Sequence, residues 1–129
     1  MNENWILEDF ERALQQLEEA LEFPHADNLL KAGCIQYFEF CFELAWKSVK
    51  VVSQRLSLPE CLSPKACLKQ AFSQGWVDSE EIWLAMLAAR NKMSHTYDAS
   101  EALNVYGALV GFLPALKVLL KNLRRAATD

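Results

Sequence analysis

The first part of the chain carries apolar residues at a helical spacing. These residues follow one another at steps of three and four: Leu7, Phe10, Leu14, Leu17 and Leu21. Side chains at this spacing share one face of an α-helix, and acidic residues occupy much of the remaining surface. The pattern therefore predicts an amphipathic helix over residues 5–21, which Pro24 is expected to end.

A second, longer helix is predicted from about Asp27 to about Leu56, since no proline interrupts this segment. The alternation at residues 38–44 would also fit a strand, but the length of the segment favours a helix. Its polar residues form one narrow stripe on a helical wheel: Gln36, Glu39, Glu43, Lys47, Lys50 and Gln54. The remaining surface is nearly all apolar, more than a four-helix core requires, which predicts a homodimer interface.

A short helix is predicted after a loop at residues 57–63. Ser63 can cap its N-terminus. Pro64 fits the first helical position, because an N–H at that position makes no hydrogen bond within the helix and its absence costs none. Gly75 is expected to close this helix, because glycine readily adopts the left-handed conformation found there.

Two capping boxes predict the starts of the last two helices: Asp78 with Glu81, and Asp98 with Glu101. Pro114 is expected to kink or interrupt the last helix, because it removes one backbone donor. The elements together predict an all-α fold, an antiparallel (up-and-down) four-helix bundle with one additional short helix. A chain of 129 residues is expected to form a single domain over residues 1–129.

Charge is distributed unevenly along the chain, whose formal net charge is -4. Residues 1–27 carry eight acidic side chains against one arginine, whereas residues 117–125 carry only basic ones. The two ends should attract each other if their helices are neighbours. No broad basic face is present, so binding to duplex DNA is not expected.

The sequence contains no pattern typical of a metal site or of membrane insertion. Its four cysteines form no Cys-x-x-Cys pair and lie far in sequence from both histidines, so they are expected to be buried apolar residues. The segment at residues 1–4 lacks the features of a signal peptide, and no run of about 18 apolar residues stands out. These observations predict a cytoplasmic protein without metal, cofactor or membrane contact.

The most polar stretch of the interior sequence contains the candidate site residues: Arg90, Asn91, Ser94, His95 and Tyr97. Arginine offers a fixed fork of donors to phosphate oxygens, histidine exchanges a proton near neutral pH, and Asn91 or Ser94 can orient a hydroxyl. No carboxylate cluster accompanies them in sequence. This favours metal-free RNA cleavage, in which histidine moves the proton of a 2′-hydroxyl and arginine neutralises the phosphorane.

A structural interpretation of the same residues stays open, because Arg90 and His95 near a helix C-terminus would also complement its dipole and cap free carbonyls. If the helix persists, the side chains from Arg90 to Tyr97 span an arc of roughly 160°. They cannot converge on one atom from a single straight helix. A working site would need a second surface, most simply the same segment of a dimer mate.

Two segments of the chain are similar to HEPN domains, specifically to the branch of nucleotidyltransferase substrate-binding proteins. The first is the motif Arg90-Asn91-x-x-Ser94-His95-Thr96-Tyr97-Asp98. The second is the upstream run from Phe38-Glu39-Phe40 through Glu43-Leu44-Ala45-Trp46-Lys47. The resemblance covers most of the chain and includes its overall length.

The resemblance implies a dimeric four-helix bundle that brings two copies of the motif together across a cleft. Many members are toxin-like ribonucleases whose antitoxin is a minimal nucleotidyltransferase encoded nearby, in some systems adding AMP to the motif tyrosine. By position, Arg90 and His95 would be catalytic, Asn91 would assist, and Tyr97 would be the modified hydroxyl. The name of the branch implies the alternative, a subunit that binds a nucleotide or other substrate and catalyses nothing itself.

The polar stripe on the second helix has two interpretations. Glu43 and Lys47 are four residues apart, so they can pair on a solvated face, and this is the favoured prediction because such pairs are common. The stripe could instead hold a partner or contact the motif.

Overall fold

The computed structural model describes residues 4–22, 27–95 and 99–128, and within these ranges it contains five helices and no strand. The helices are α1 (Asn4–Leu21), α2 (Asn28–Arg55), α3 (Pro64–Ser73), α4 (Glu80–His95) and α5 (Ala99–Thr128). Four of them are long and α3 is short. The predicted all-α bundle with one additional short helix is confirmed.

Helices α1 and α5 are antiparallel neighbours joined by ion pairs. Glu18 pairs with Lys117, and Glu11 Oε2 lies 2.9 Å from Arg124 Nη2. The earlier residue of α1 thus pairs with the later residue of α5, which means that the two helices run in opposite directions. The predicted attraction between the acidic and basic segments is confirmed. These side chains are substantially exposed, so the pairs contribute little to stability.

Helices α2 and α5 run in the same direction. The rings of Phe38 and Phe112 have centroids 5.5 Å apart, and Lys31 Nζ lies 5.4 Å from the centroid of the Tyr106 ring. Both helices therefore begin at one end of the bundle. Toward the other end, Asn122 Nδ2 donates to the Trp76 carbonyl at 2.9 Å, which ties α5 to the connection before α4.

The core lies where the apolar faces of α1, α2, α4 and α5 meet. Phe42 is central to it, because its ring lies 6.1 Å from that of Phe38 and 6.3 Å from that of Trp83 on α4. The largest fully buried side chains of the core include Phe10, Leu17, Phe38, Phe42, Trp83, Met86, Leu109, Leu116, Leu119 and Leu123. Burial of such side chains supplies most of the stabilising free energy.

The ends of α3 follow the prediction. Ser63 Oγ accepts a hydrogen bond from Ala66 N at 3.2 Å, Pro64 occupies the first helical position, and Gly75 has a positive φ of 77°. At the start of α4 the prediction of Asp78 as the cap was wrong. Helix α4 begins at Glu80, so the capping position just before it is Ser79 and not Asp78. Ser79 Oγ accepts a hydrogen bond from Ile82 N at 3.3 Å.

Helix α5 is continuous from Ala99 to Thr128, so Pro114 does not interrupt it, and a kink at this residue stays a prediction. Leu113, Ala115 and Leu116 beside this proline are buried, and their packing offsets the missing backbone hydrogen bond. Of the capping box predicted for this helix, Asp98 lies outside the described residues and Glu101 outside the described side chains.

The expectation that no segment is long and apolar enough to cross a membrane was wrong for Ala102–Thr128, by length and composition. The bundle buries 39% of the most apolar window of this segment, and a helix that supplies part of a core needs apolar residues at those positions. Leu109, Leu116 and Leu123 on this segment are fully buried among the other helices.

The cysteines divide into two pairs. Cys34 and Cys41 are buried free thiols, as predicted, and burial raises the pKa of the Cys41 thiol to about 12. Cys61 and Cys67 are buried as predicted, but they form a disulfide, which was not predicted. The loop before α3 and the first turn of that helix bring their Cα atoms to 5.0 Å, within the usual range for a disulfide.

Apolar surface remains uncovered at the end of the bundle where α2 and α5 begin. The exposed apolar residues there and along the two helices are Leu29, Leu30, Tyr37, Phe40, Leu103 and Val110. A groove of about 160 Å³ lies between the first turns of the two helices, lined by Asn28, Lys31, Ala32, Ile35, Ala102 and Leu103. The homodimer interface expected from the excess apolar surface of α2 stays a prediction.

Candidate functional site

The predicted site residues lie at and beyond the C-terminal end of α4. Arg90 and Asn91 are on this helix, whose last residue is His95. Tyr97 lies outside the described residues, and Ser94 and His95 outside the described side chains. Arg90 and His95 therefore belong to one helix, and five residues at the helical rotation put them about 140° apart around its axis.

Arg90 is held by a carboxylate from another helix. Its Nη2 lies 2.6 Å from Oε1 of Glu43 on α2, and both side chains are about 30% exposed (30% and 31%). The predicted pair between Glu43 and Lys47 is present, and the alternative prediction, contact of the stripe with the motif, is also correct at Glu43. The contact depends on the packing of α4 beside α2, which the pattern on α2 alone does not reveal.

Further groups on α2 contact the Glu43 carboxylate. Trp46 Nε1 donates to its Oε2 at 3.1 Å, and Lys47 Nζ lies 3.9 Å from the same oxygen. Lys47 also lies 5.9 Å from the centroid of the Trp46 ring. The carboxylate is consequently oriented by the indole on one side and by Arg90 on the other.

Asn91 also contacts Arg90, because its Oδ1 accepts a hydrogen bond from Arg90 Nη1 at 3.1 Å. Of the two terminal nitrogens of the guanidinium, Nη2 thus forms an ion pair with Glu43 and Nη1 donates a hydrogen bond to Asn91. Adjacent helical residues seldom face each other, and the length of the arginine side chain makes the contact possible here. The prediction that Asn91 assists Arg90 in catalysis remains a prediction.

A second carboxylate, Glu39, lies one turn before Glu43 on α2. Burial raises the pKa of its carboxyl above the ordinary value of 4.5, the Arg90 charge opposes this shift, and the Glu43 charge adds to it. Two glutamates of α2 that are distant in sequence from the motif thus interact with Arg90, Glu43 through an ion pair and Glu39 through its charge. Within the described residues, no group of three or more His, Cys, Asp and Glu side chains is arranged to hold a metal ion.

Replacing Glu39 with glutamine is expected to raise the melting temperature at pH 7. A carboxyl whose folded-state pKa is above its unfolded value binds a proton more tightly when folded, so its ionised form destabilises the fold. The advantage of the neutral glutamine should shrink as the pH falls through the raised pKa and should vanish below 4.5, the ordinary value. Thermal melts from pH 4 to pH 8 measure this difference.

Glu60→Gln is the matched control for this experiment, because Glu60 is an exposed loop residue and its replacement removes the same charge. A wild-type protein more stable than Glu39→Gln at pH 7 would contradict the prediction. That result would mean that attraction to Arg90 outweighs the cost of burial at Glu39.

Comparison with known proteins relates nearly the whole chain to one protein family. The family described as nucleotidyltransferase substrate binding protein like matches residues 6–125. The chain is also 35% identical over 100 residues to a Haemophilus influenzae protein named probable ribonuclease HepT, an alignment covering 74% of this chain and 68% of that protein.

Two solved structures share the fold. A crystal structure of a Thermus thermophilus protein matches with a TM-score of 0.82 and 26% identity, covering 90% of this chain and 99% of that one. A Haemophilus influenzae structure, described as revealing the fold of a substrate binding domain of a nucleotidyltransferase, matches with a TM-score of 0.79. The two sequences are 29% identical, and the match covers 92% of this chain and 98% of the Haemophilus influenzae chain.

The helical bundle, the Arg90 motif at the end of α4 and these matches define one class of protein. The chain belongs to the family of nucleotidyltransferase substrate-binding proteins, which has a HEPN-like fold. The resemblance recognised from the motif at residues 90–98 and from the run at residues 38–47 is confirmed.

Proposed function

We propose that this protein is a toxin-like, metal-independent endoribonuclease of the HEPN type and the partner of a minimal nucleotidyltransferase. Arg90 and His95 are its catalytic residues in this proposal, and Asn91 assists them. The observation that carries the proposal is the Arg90 guanidinium, partly exposed on α4 five residues before His95 and bound to an anionic group. The similarity to a protein named probable ribonuclease HepT supports it.

The proposed reaction is an internal transfer at one phosphodiester of RNA. His95 takes the proton of the 2′-hydroxyl, the 2′-oxygen attacks the adjacent phosphorus, and the bond to the 5′-oxygen breaks. The products are a 2′,3′-cyclic phosphate and a 5′-hydroxyl, which receives a proton. Arg90 donates hydrogen bonds to the phosphorane oxygens, where negative charge accumulates in the transition state.

The site is proposed to be composite, with two copies of the motif facing each other across a dimer cleft. Arg90 and His95 are about 140° apart around α4, so one straight helix does not direct both at a single phosphate. The exposed apolar surface of α2 and α5, which includes Leu29, Phe40 and Val110, offers an area for a second copy to cover. A cytoplasmic location completes the proposal, because RNA is the substrate.

Cleavage of RNA in the presence of EDTA tests this function. The purified wild-type protein should cut a labelled RNA and leave 2′,3′-cyclic phosphate ends, whereas His95→Ala prepared in parallel should not. This variant also controls for contaminating nucleases, since they would copurify with both proteins. Equal cleavage by the two preparations, or no cleavage by the wild type at any RNA concentration, would refute the assignment.

A nucleotidyltransferase is the proposed regulator, and Tyr97 is the proposed acceptor of AMP. Incubation with the partner enzyme and ATP should increase the intact mass by one or more adenylyl units, and Tyr97→Phe should abolish the increase. The phenylalanine variant keeps the ring and loses only the hydroxyl. An unchanged mass increase in this variant would show that another residue is modified.

The second candidate function is a non-catalytic subunit that binds a nucleotide or another substrate for the nucleotidyltransferase. The solved relative described as a substrate binding domain of a nucleotidyltransferase favours it. This function predicts binding without turnover, which calorimetry with ATP, GTP and short RNA would detect. RNA turnover that depends on His95 would exclude it as the sole function.

A further inference from the structure

The Glu43 carboxylate connects the two helices that meet beside the motif. Its Oε1 lies 2.6 Å from Arg90 Nη2, and this oxygen atom is itself buried, although the side chain as a whole is partly exposed. A charged oxygen shielded from water interacts more strongly with its partner than an exposed one. The contact is therefore suited to fixing the position of the guanidinium.

Trp46 determines where that carboxylate points. Its indole Nε1 donates to Glu43 Oε2 at 3.1 Å, and a planar carboxylate held at both oxygens cannot rotate without breaking a contact. Trp46 is three residues further along α2 and is partly buried against the core, so its ring provides a fixed donor. A chain of contacts thus runs from the core, through Trp46 and Glu43, to Arg90.

We propose that Glu43 is a positioning residue for Arg90 and that Trp46 orients Glu43 for this role. The inference rests on the proposed ribonuclease function. Glu43 holds one edge of the guanidinium so that the group meets the phosphate in a fixed orientation. As an anion beside the phosphate site, it also weakens the binding of uncleaved RNA.

These two effects predict that Glu43→Gln lowers both kinetic constants, each for its own reason. Loss of the fixed orientation should lower kcat by about ten- to a hundredfold, because small misplacements of a catalytic group are costly. Removal of the negative charge should lower KM by about two- to fivefold, since one partly screened repulsion is relieved. Steady-state cleavage of a fluorogenic RNA in EDTA measures both constants.

Two further variants separate positioning from folding. Glu43→Asp keeps the charge but shortens the side chain by one methylene, so kcat should lie between the values of wild type and Glu43→Gln. Trp46→Phe keeps an aromatic ring and removes the donor, so kcat should fall while KM stays near that of the wild type. Circular dichroism melts establish that each variant is folded at the assay temperature.

Glu11→Gln is the matched control, because Glu11 forms a comparable pair with Arg124 at 2.9 Å on the α1–α5 side of the bundle. Its kcat and KM should equal those of the wild type. A merely structural role for Glu43 would reduce kcat through loss of active protein and leave KM unchanged. That pattern, or wild-type constants in folded Glu43→Gln, would overturn the positioning role.

Failure of the proposed function gives a different result, because the wild type itself would not cleave RNA. The Trp46 indole N–H resonance distinguishes the two cases without any substrate. It should shift in Glu43→Gln, which removes the charge of its acceptor, and in Arg90→Ala, which removes the cation paired with that acceptor, and it should stay unchanged in Glu11→Gln. An unchanged resonance in the first two variants would overturn the chain of contacts, whether or not the protein is an enzyme.

Discussion

Replacing Arg90 with alanine should lower kcat for RNA cleavage by about 10²–10³-fold, the usual cost of losing one donor to a charged transition state. The guanidinium is partly exposed beside the end of α4, and Glu43 and Asn91 already restrict its orientation. Its donors therefore need little reorganisation when the phosphorane forms. Initial rates with a fluorogenic RNA in EDTA, at saturating substrate, measure the effect.

Arg124→Ala is the control for this experiment, because it removes an arginine of similar exposure from an ion pair with Glu11, away from the motif. Its kcat should match that of the wild type. Arg90→Ala also leaves the buried Oε1 of Glu43 without its ion-pair partner, so the variant is expected to melt at a lower temperature. A folded Arg90→Ala protein with wild-type kcat would remove Arg90 from the mechanism.

The largest stability effect is expected for Phe38→Ala. Phe38 is fully buried on α2, where its ring contacts those of Phe42 and Phe112. Truncation to alanine leaves a cavity between α2 and α5, and such changes cost about 3–5 kcal/mol of unfolding free energy. Urea denaturation followed by circular dichroism should show a lower midpoint with an unchanged slope.

Phe72→Ala provides the comparison, because Phe72 is a phenylalanine on α3 that is 45% exposed. Its replacement should cost less than about 1 kcal/mol, since little apolar area returns to water. Similar losses in the two variants would contradict the assignment of Phe38 to the core and of Phe72 to the surface.

Much of the fold could be predicted because helix patterns and caps are local. The ends of α2 fall within a residue of those predicted, and Ser63 and Gly75 bound α3 as expected. The errors arose where tertiary packing decides the outcome. Pro114 is tolerated because its neighbours are buried, and Ser79 caps α4 although the pattern indicated Asp78.

The candidate site was only partly predictable for the same reason. Arg90 and its neighbours form a motif in sequence, but Glu43 lies on another helix and approaches Arg90 only after α4 packs beside α2. The one available signal was the position of Glu43 in the polar stripe of α2. The disulfide between Cys61 and Cys67 was missed because it depends on how the chain folds before α3, where the two Cα atoms come within 5.0 Å of each other.

Only residues 96–98 separate the last residue of α4 from the first residue of α5. Adjacent Cα atoms are about 3.8 Å apart, so the four links from His95 to Ala99 can extend over at most about 15 Å. The proposed catalytic motif is thus tethered directly to the longest helix of the bundle. Substitutions in the buried part of α5 should consequently alter the alignment of the proposed catalytic residues at temperatures where the protein remains folded. Selection for activity would then also act on side chains that do not contact RNA.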